Sequence, residues 1–192
     1  MLDAILHTER LVLRPLVPDD AHRLLQYVVL NRKWLEPWEP AHPPAYYTLE
    51  GQRSILRQCQ DDRRGDTGIL FGIYELEGSC QDVLGRISIS GIMRGIWQNG
   101  FLGYSIAQSR ASRGYMSEAL RRVVQYGFTE LQLHRLQASI IPRNAPSQRV
   151  ARKCDFRCEG RALRYLKIRD TWEDHDMFAL TAEEYHAGAC RA

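Results

Sequence analysis

Apolar and polar residues change period along this chain, and the changes mark out its elements. Arg10-Leu11-Val12-Leu13-Arg14-Pro15 alternates like a half-buried strand that Pro15 ends. The period then lengthens: Ala21, Leu24, Leu25 and Val28 share one helical side, with Asp19 or Asp20 as the cap. Asn31 to Pro44 breaks the pattern, because Trp34 and Trp38 stand among Pro37, Pro40, Pro43 and Pro44, which exclude a regular helix. Thr48 to about Gln60 predicts a second helix with Leu49, Ile55, Leu56 and Cys59 inward, closed by a charged turn over Asp61–Asp66. Strands follow over Gly68–Leu76, Val83–Ile92 and Asn99–Ala107, with a turn at Glu77-Gly78-Ser79 between the first two. Short loops make these an antiparallel meander.

The next stretch, Ala107 to Leu120, organises the rest. A strand feeds a polar turn, and the turn opens a helix whose apolar stripe is Met116, Ala119, Leu120, Val123, Val124 and Phe128. Such a junction presents free backbone N–H groups and a positive dipole end, which suit a phosphate. Gly114 lets the backbone approach closely, and Arg113 stands beside it. Then come a strand over Leu133–Ile141, a break at Pro142-Arg143-Asn144, and a short helix capped by Asn144 with Pro146 in its first turn. That helix ends near Cys154-Asp155, where Asp tolerates the left-handed stop. Phe156–Ile168 and Thr171–Leu180 close the chain as a hairpin around Arg169-Asp170. The order is βααβββαβαββ, a mixed α/β layer structure read as one domain over residues 1–192.

Composition narrows the function classes. The 192 residues are 44% hydrophobic and 26% charged, as in an ordinary soluble globule. No apolar run reaches the length of a membrane span, and the N-terminus lacks the pattern of a signal peptide, so a cytoplasmic protein with no membrane partner is expected. The five cysteines (Cys59, Cys80, Cys154, Cys158 and Cys190) are scattered and odd in number, which argues against a disulfide framework. Cys154 and Cys158 lack a nearby second pair, so buried or half-buried thiols are expected and no metal. A net charge of +3 does not mark a DNA binder. Between His134 and Asp170, however, ten Arg and Lys face three acids. They are either solvated faces or a field for a polyanionic cofactor or acidic partner.

The element order and several segments resemble the GNAT (Gcn5-related) N-acetyltransferase superfamily, from Arg10 to about Tyr185. The carrying segments are Asn31-Arg32 through Trp38-Glu39-Pro40, Leu102–Ile106, Gly114–Leu120, His134-Arg135-Leu136, Pro142-Arg143-Asn144 with Ser147, and Trp172-Glu173-Asp174-His175. The Trp-Glu-Pro loop with the Asn-x-x-Ser helix start is similar to the ribosomal-protein-alanine N-acetyltransferases of the RimJ type. The resemblance implies a largely antiparallel sheet whose fourth and fifth strands splay, with helices on both faces. It implies acetyl-CoA as cofactor, with Tyr104, Ser105 and Ile106 along the pantetheine. Ala111, Ser112, Arg113, Gly114, Tyr115 and Met116 match the pyrophosphate loop, and Asn144 and Ser147 stand beside the thiol. The implied acceptor is a ribosomal protein N-terminus, with ribosome association. Dimers are frequent among similar proteins, which makes a homodimer a state to test.

Several positions depart from the family pattern. Ala111 replaces a Gln or Arg, Ser112 a Gly, and Asp155 the Gly before Phe156. Ala151 stands where many members carry a Tyr general acid, and Arg164 where related enzymes carry an acidic base. Acetyl transfer needs an amine that loses a proton, a stabilised carbonyl oxygen and a thiolate that leaves. An α-amine titrates near ~7.7–8.0 and a lysine near ~10.4, which favours an N-terminal acceptor. By elimination Glu39 is the expected base, directly or through water, with a peptide anchor or a surface carboxylate as the alternative. Ser147 is the expected partner of the leaving sulfur, and a backbone N–H near Ile106 the oxyanion donor. Trp34, Trp38 and Glu39 are the expected acceptor pocket. Glu118 is expected to complement the helix dipole, and His134 and His175 to be structural residues at strand edges. Two rival functions remain open: an acetyltransferase for a small amine such as an amino-acid conjugate, a drug or a polyamine, and a catalytically decayed CoA-binding module on the ribosome.

Overall fold

Alternating apolar runs build one eight-stranded sheet. The computed structural model describes residues 4–77 and 82–189. The strands are β1 (Leu6–His7), β2 (Leu11–Pro15), β3 (Ile69–Glu75), β4 (Gly85–Met93), β5 (Asn99–Ile106), β6 (Arg135–Ile140), β7 (Arg157–Ile168) and β8 (Thr171–Thr181). Their spatial order is β1-β2-β3-β4-β5-β6-β8-β7, and every neighbouring pair is antiparallel except β5 with β6. The helices are α1 (Ala21–Leu30), α2 (Arg32–Leu35), α3 (Leu49–Arg64), α4 (Tyr115–Thr129), α5 (Ala145–Lys153) and α6 (Ala182–Ala189).

Two apolar clusters cover the two faces. On one, Leu120, Val123 and Val124 of α4 pack with Phe71, Ile87, Ile89 and Leu136 of the sheet, all 2% exposed or less. Each such side chain contributes about 1.5–3 kcal/mol by leaving water. On the other, Leu24 and Val28 of α1 and Leu56 of α3 meet Leu16 and Tyr74. Helices therefore lie on both faces, as expected.

The β5–β6 pair decides where a ligand can enter. Its register runs Asn99↔Arg135, Gly100↔Leu136, Phe101↔Gln137 and then stops. Ala107 N–H donates to Leu84 of the β4 side, so by alternation the backbones of Gly103 and Ser105 also address β4. Those of Leu102, Tyr104 and Ile106 face the gap. This is the expected splay, between the strands that count as fourth and fifth before β1 is added.

Elsewhere the structure departs from the expectation in instructive ways. β1 and α6 are additional; the first is two residues long, and the second is anchored by Tyr185 packing on Phe128 at 5.3 Å. The Trp-rich segment is not wholly irregular. Arg32–Leu35 forms one helical turn and Glu36–Trp38 a 3-10 turn, with Pro37 early in it where its missing N–H does no harm. α3 runs through the expected charged turn to Arg64, supported by Gln58–Asp62 and Arg64–Asp61 contacts one turn apart. Asp20 precedes α1 but does not cap it with its side chain; its carboxylate takes Arg14 at 2.6 and 2.7 Å, Arg23 at 3.2 Å and the Val17 N–H at 3.1 Å. The left-handed stop at Asp155 is present, at φ +65°. Gly78 and Ser79 of the expected turn, with Cys80 and Cys190, lie outside the described residues. Cys154 is buried and Cys59 half-buried as expected, whereas Cys158 is exposed on the edge strand β7.

Candidate active site

The β5–β6 gap opens into a cleft of about 590 Å³. At one end, β5 runs out through a 3-10 turn into the loop before α4. Ser112 at φ +61° and Gly114 at φ +84° turn this loop in the left-handed region. A Cβ on Gly114 would lie 3.3 Å from the mobile end of Arg10, so it is the conformation, at positive φ, that selects glycine here. The main-chain amides of residues 112–117 have no acceptor within the described protein; the first helical bond of α4 is Glu118 N–H to Gly114. They form the kind of donor set that holds a phosphate.

The charged side chains around the loop do not all join it. Arg110 lines the cleft but is tied to Glu75 at 2.9 Å. Arg113 is exposed and lies outside the cleft wall; its carbonyl accepts from Arg10 at 3.2 Å. Arg149 and Lys153 of α5, which the sequence left within a general basic region, do line the cleft. Four of the ten cations of that region are paired locally: Arg135 meets Glu159, Arg157 meets Glu159 and Glu184, Arg161 meets Asp176 and Arg143 meets Glu173. Glu118 does more than complement a dipole. It accepts from Thr8 Oγ1 at 2.6 Å, the Arg10 N–H at 2.9 Å and Arg10 Nε at 2.8 Å, pinning the N-terminal strands to α4. Burial would raise its pKa, but these donors hold it below the ordinary value.

At the centre, Asn144 caps α5 by accepting the Ser147 N–H at 3.2 Å. Ser147 Oγ lies 3.0 Å from the Tyr104 hydroxyl, which donates to the Ser147 carbonyl at 3.1 Å. Burial pushes the Tyr104 phenol up to about 12, which keeps it protonated near neutral pH. The sequence had placed Tyr104 by its backbone alone; its hydroxyl is an addition. Nothing local could signal it, because its partner is 43 residues away.

The far wall lies under α1 and the Trp-rich turns. Trp34 Nε1 donates to the Ile106 carbonyl at 3.1 Å, so one polar group of the β5 end is already paired. Arg86 of β4 is the hub of this wall. It reaches Glu39 Oε1 at 2.6 Å, the Tyr46 hydroxyl at 2.9 Å and Ser105 Oγ at 3.3 Å, and Ser105 also accepts from the Tyr27 hydroxyl at 2.9 Å. Burial alone would lower the Arg86 pKa, yet Glu39 and the two phenols raise it above the usual value. His42 stacks on Tyr46 at 3.7 Å and meets Glu39 Oε2 at 3.2 Å. Both Glu39 oxygens are thus engaged. Arg143 links this wall to β8: it reaches the Pro37 carbonyl at 3.3 Å, stands 5.3 Å over Trp38, and pairs with Glu173 at 2.8 Å.

Of the residues expected to form the site, the cleft brings together Trp34, Trp38, Glu39, Tyr104, Ser105, Ile106, Ala111, Ser112, Gly114, Tyr115, Met116, Asn144 and Ser147. Arg113 alone falls outside it. Arg86 and His175 were not expected there. Arg86 had a signal, a single cation in the apolar run of β4. His175 is no strand-edge residue: it is mid-strand in β8, 2% exposed, and part of the cleft wall. His134 does sit just outside β6, against Glu183 at 3.1 Å.

A family model described as an acetyltransferase (GNAT) domain matches residues 10–157. The chain belongs to the GNAT acetyltransferase family. It is similar to the probable N-acetyltransferase YjcK of Bacillus subtilis, at 37% identity over 92% of this chain and 96% of that one. The fold superposes on the ribosomal-protein-S5-alanine acetyltransferase of Vibrio fischeri with a TM-score of 0.89, 30% identity, and coverage of 95% and 99%. It superposes on RimJ of Mycobacterium smegmatis, solved with a CoA disulfide, with a TM-score of 0.84, 28% identity, and coverage of 97% and 94%. The gap, the amide-lined loop and the Asn144–Ser147 helix start open into one continuous cleft. No helix among the described residues is long and apolar enough to cross a membrane.

Proposed function

We propose that this GNAT acetyltransferase acetylates the α-amine of an N-terminal alanine on a ribosomal protein, using acetyl-CoA. The observation that carries the reading is the continuity of the cleft. It joins the unpaired backbone of β5, the free amides of residues 112–117 and Ser147 to the wall of Trp34, Trp38 and Glu39. The donor set fits the cofactor: bare amides and a helix start suit a pyrophosphate, and unpaired strand groups suit the amides of a pantetheine. The likeness to proteins named for alanine N-termini supports the acceptor.

In this reading acetyl-CoA supplies an activated acetyl thioester. The backbone of Leu102, Tyr104 and Ile106 aligns its arm, and the amides of residues 112–117 hold its phosphates, with Arg149 and Lys153 adding charge. Ser147, positioned by Tyr104 and Asn144, gives a proton to the departing sulfur. The Ile106 N–H faces the gap and polarises the carbonyl. Trp34 and Trp38 enclose the acceptor terminus. Glu39, with both oxygens engaged, enters as an anchor for the acceptor ammonium instead of the base.

Mass spectrometry of protein N-termini from cells with and without this chain tests the reading. An alanine terminus of a ribosomal protein should lose its acetyl group when the chain is absent. An unchanged set of ribosomal termini, with an acetylated small amine disappearing instead, overturns it.

A further inference from the structure

Acetyl transfer to an ammonium needs a proton acceptor, and the proposed roles leave that place vacant. The family position for an acidic base holds Arg164. Here it is exposed in a β7 bulge at φ +49°, its N–H bonded to Asp174 at 2.9 Å, away from the cleft wall. Glu39 is engaged at both oxygens.

His175 answers the requirement. It lines the cleft at 2% exposure. Its Nδ1 lies 3.0 Å from the Glu173 carbonyl, which can only accept, so Nδ1 carries a hydrogen and, in the neutral imidazole, Nε2 carries the lone pair. Nε2 has no hydrogen-bond partner among the described residues. The Tyr165 ring, brought over by the β7 bulge, stands edge-on at 5.7 Å and fixes the imidazole plane. Base, orienting carbonyl and ring support are thus together.

Placement on the sheet agrees. Phe178 and Leu180 of β8 pack in the core beneath α4 and α5, so by alternation His175 projects from the opposite face. Trp34, Trp38 and Glu39 lie on that side, while Ser147 and Tyr104 lie on the α5 side. A proton acceptor and a donor to the leaving group therefore flank the gap from opposite faces. Of the ionisable groups near His175, Glu173 pairs with Arg143, Asp176 of the opposite face with Arg161, and Glu39 with Arg86 on the cleft wall; Asp174 accepts the Arg164 N–H, and the Tyr165 phenol stands on β7.

We propose that His175 Nε2 is the general base that deprotonates the acceptor ammonium. The inference rests on the acetyl-transfer reading above. The acceptor nitrogen gives up two protons on becoming an amide. His175 takes one and returns it to solvent; the other replaces the proton that Ser147 gives to the departing sulfur, so that Ser147 ends as it began. One C–N bond forms, one C–S bond breaks, and no redox partner is required.

His175→Asn keeps a donor toward Glu173 and removes Nε2. It should lower kcat/KM at neutral pH by about 100-fold or more. The deficit should shrink above about pH 9, where the α-amine is neutral unaided, and acetyl-CoA affinity measured by calorimetry should stay within about twofold. A deficit constant across pH, or a parallel loss of acetyl-CoA affinity, overturns the proposal. The assay runs in parallel on an alanine-terminated peptide and on ethanolamine. Acetylation of ethanolamine alone would sink the acceptor reading, while the same pH comparison on that amine still decides for or against His175. An activity-free readout is the long-range ¹H–¹⁵N spectrum of the histidines in the whole protein: an Nδ1–H tautomer at His175 is expected, and an Nε2–H tautomer overturns the assignment.

Discussion

The two arms of the cleft are built by opposite means. The arm before α4 works through main chain: six successive amides, two left-handed residues and a helix start, all within Ala111–Ser117. The arm under α1 works through side chains that the fold gathers from Tyr27, Glu39, Tyr46, Arg86 and Ser105, where a single hydrogen bond spans up to 78 residues. A local backbone site tolerates exchange of its side chains as long as its turn survives. A network of side chains fails when any buried member is lost, because the partners left behind are desolvated. That difference sets what each substitution should do.

High pH should act through two buried phenols, Tyr27 in the side-chain arm and Tyr104 at the junction beside Ser147. Burial pushes both Tyr27 and Tyr104 from 10.0 to about 12. In the unfolded chain these phenols ionise near ~10. Above that pH the unfolded state holds fewer protons than the native one, so stability must fall as pH rises toward 12. Denaturant titrations at pH 8, 10 and 11.5 should show a loss of several kcal/mol, with Tyr27→Phe and Tyr104→Phe each flattening the fall. A pH-independent curve over that range would remove the buried phenols from the account.

Arg86→Ala should come next. It strands Glu39, whose side chain is 19% exposed in a pair that is itself only partly screened. The loss should be about 2–3 kcal/mol, or roughly 4–12 °C in Tm for a chain of this size. Arg86→Ala with Glu39→Ala should recover part of it. Acetyl-CoA affinity should change little, since the other arm is intact; a large loss would show that the arms are not separate.

Ser147→Ala tests the junction. Turnover should fall roughly tenfold to a hundredfold with cofactor affinity kept, and an unchanged rate would free Ser147 of its role. The smallest effects should come from charge at the main-chain arm. Lys153→Glu, on the cleft wall, should weaken acetyl-CoA binding several-fold, and Arg113→Glu, outside it, by less than about twofold because exposed charges are screened. The reverse ranking would return Arg113 to the phosphate site.

The same contrast explains what could be read from the sequence. The α4 junction is legible because its chemistry sits in one stretch; alternation marks β2 to β8, while the splay follows from the family resemblance alone. Gly114, Asn144 and Asp155 each mark a backbone conformation that the structure adopts. The Arg113 side chain lies outside the cleft wall although its neighbours line it, because adjacency in sequence says nothing about which way a loop side chain leaves. The expected strand Thr171–Leu180 already holds His175 away from its ends, so the edge reading conflicts with the pattern itself; what the pattern cannot show is that His175 lines the cleft. Glu39 was found by its Trp-rich neighbourhood, but its commitment to Arg86, 47 positions away, is a tertiary fact. The charged end of α3 was read as a turn because ion pairs a turn apart look the same in sequence as loop charges.

One measurement bears most directly on the acceptor. Purified protein, acetyl-CoA and two peptides of equal length are incubated together: one begins with a free alanine, the other is Nα-blocked and carries an internal lysine. The account predicts acetyl transfer to the alanine α-amine at least tenfold faster, located by fragment mass spectrometry. Equal or faster modification of the lysine would contradict it.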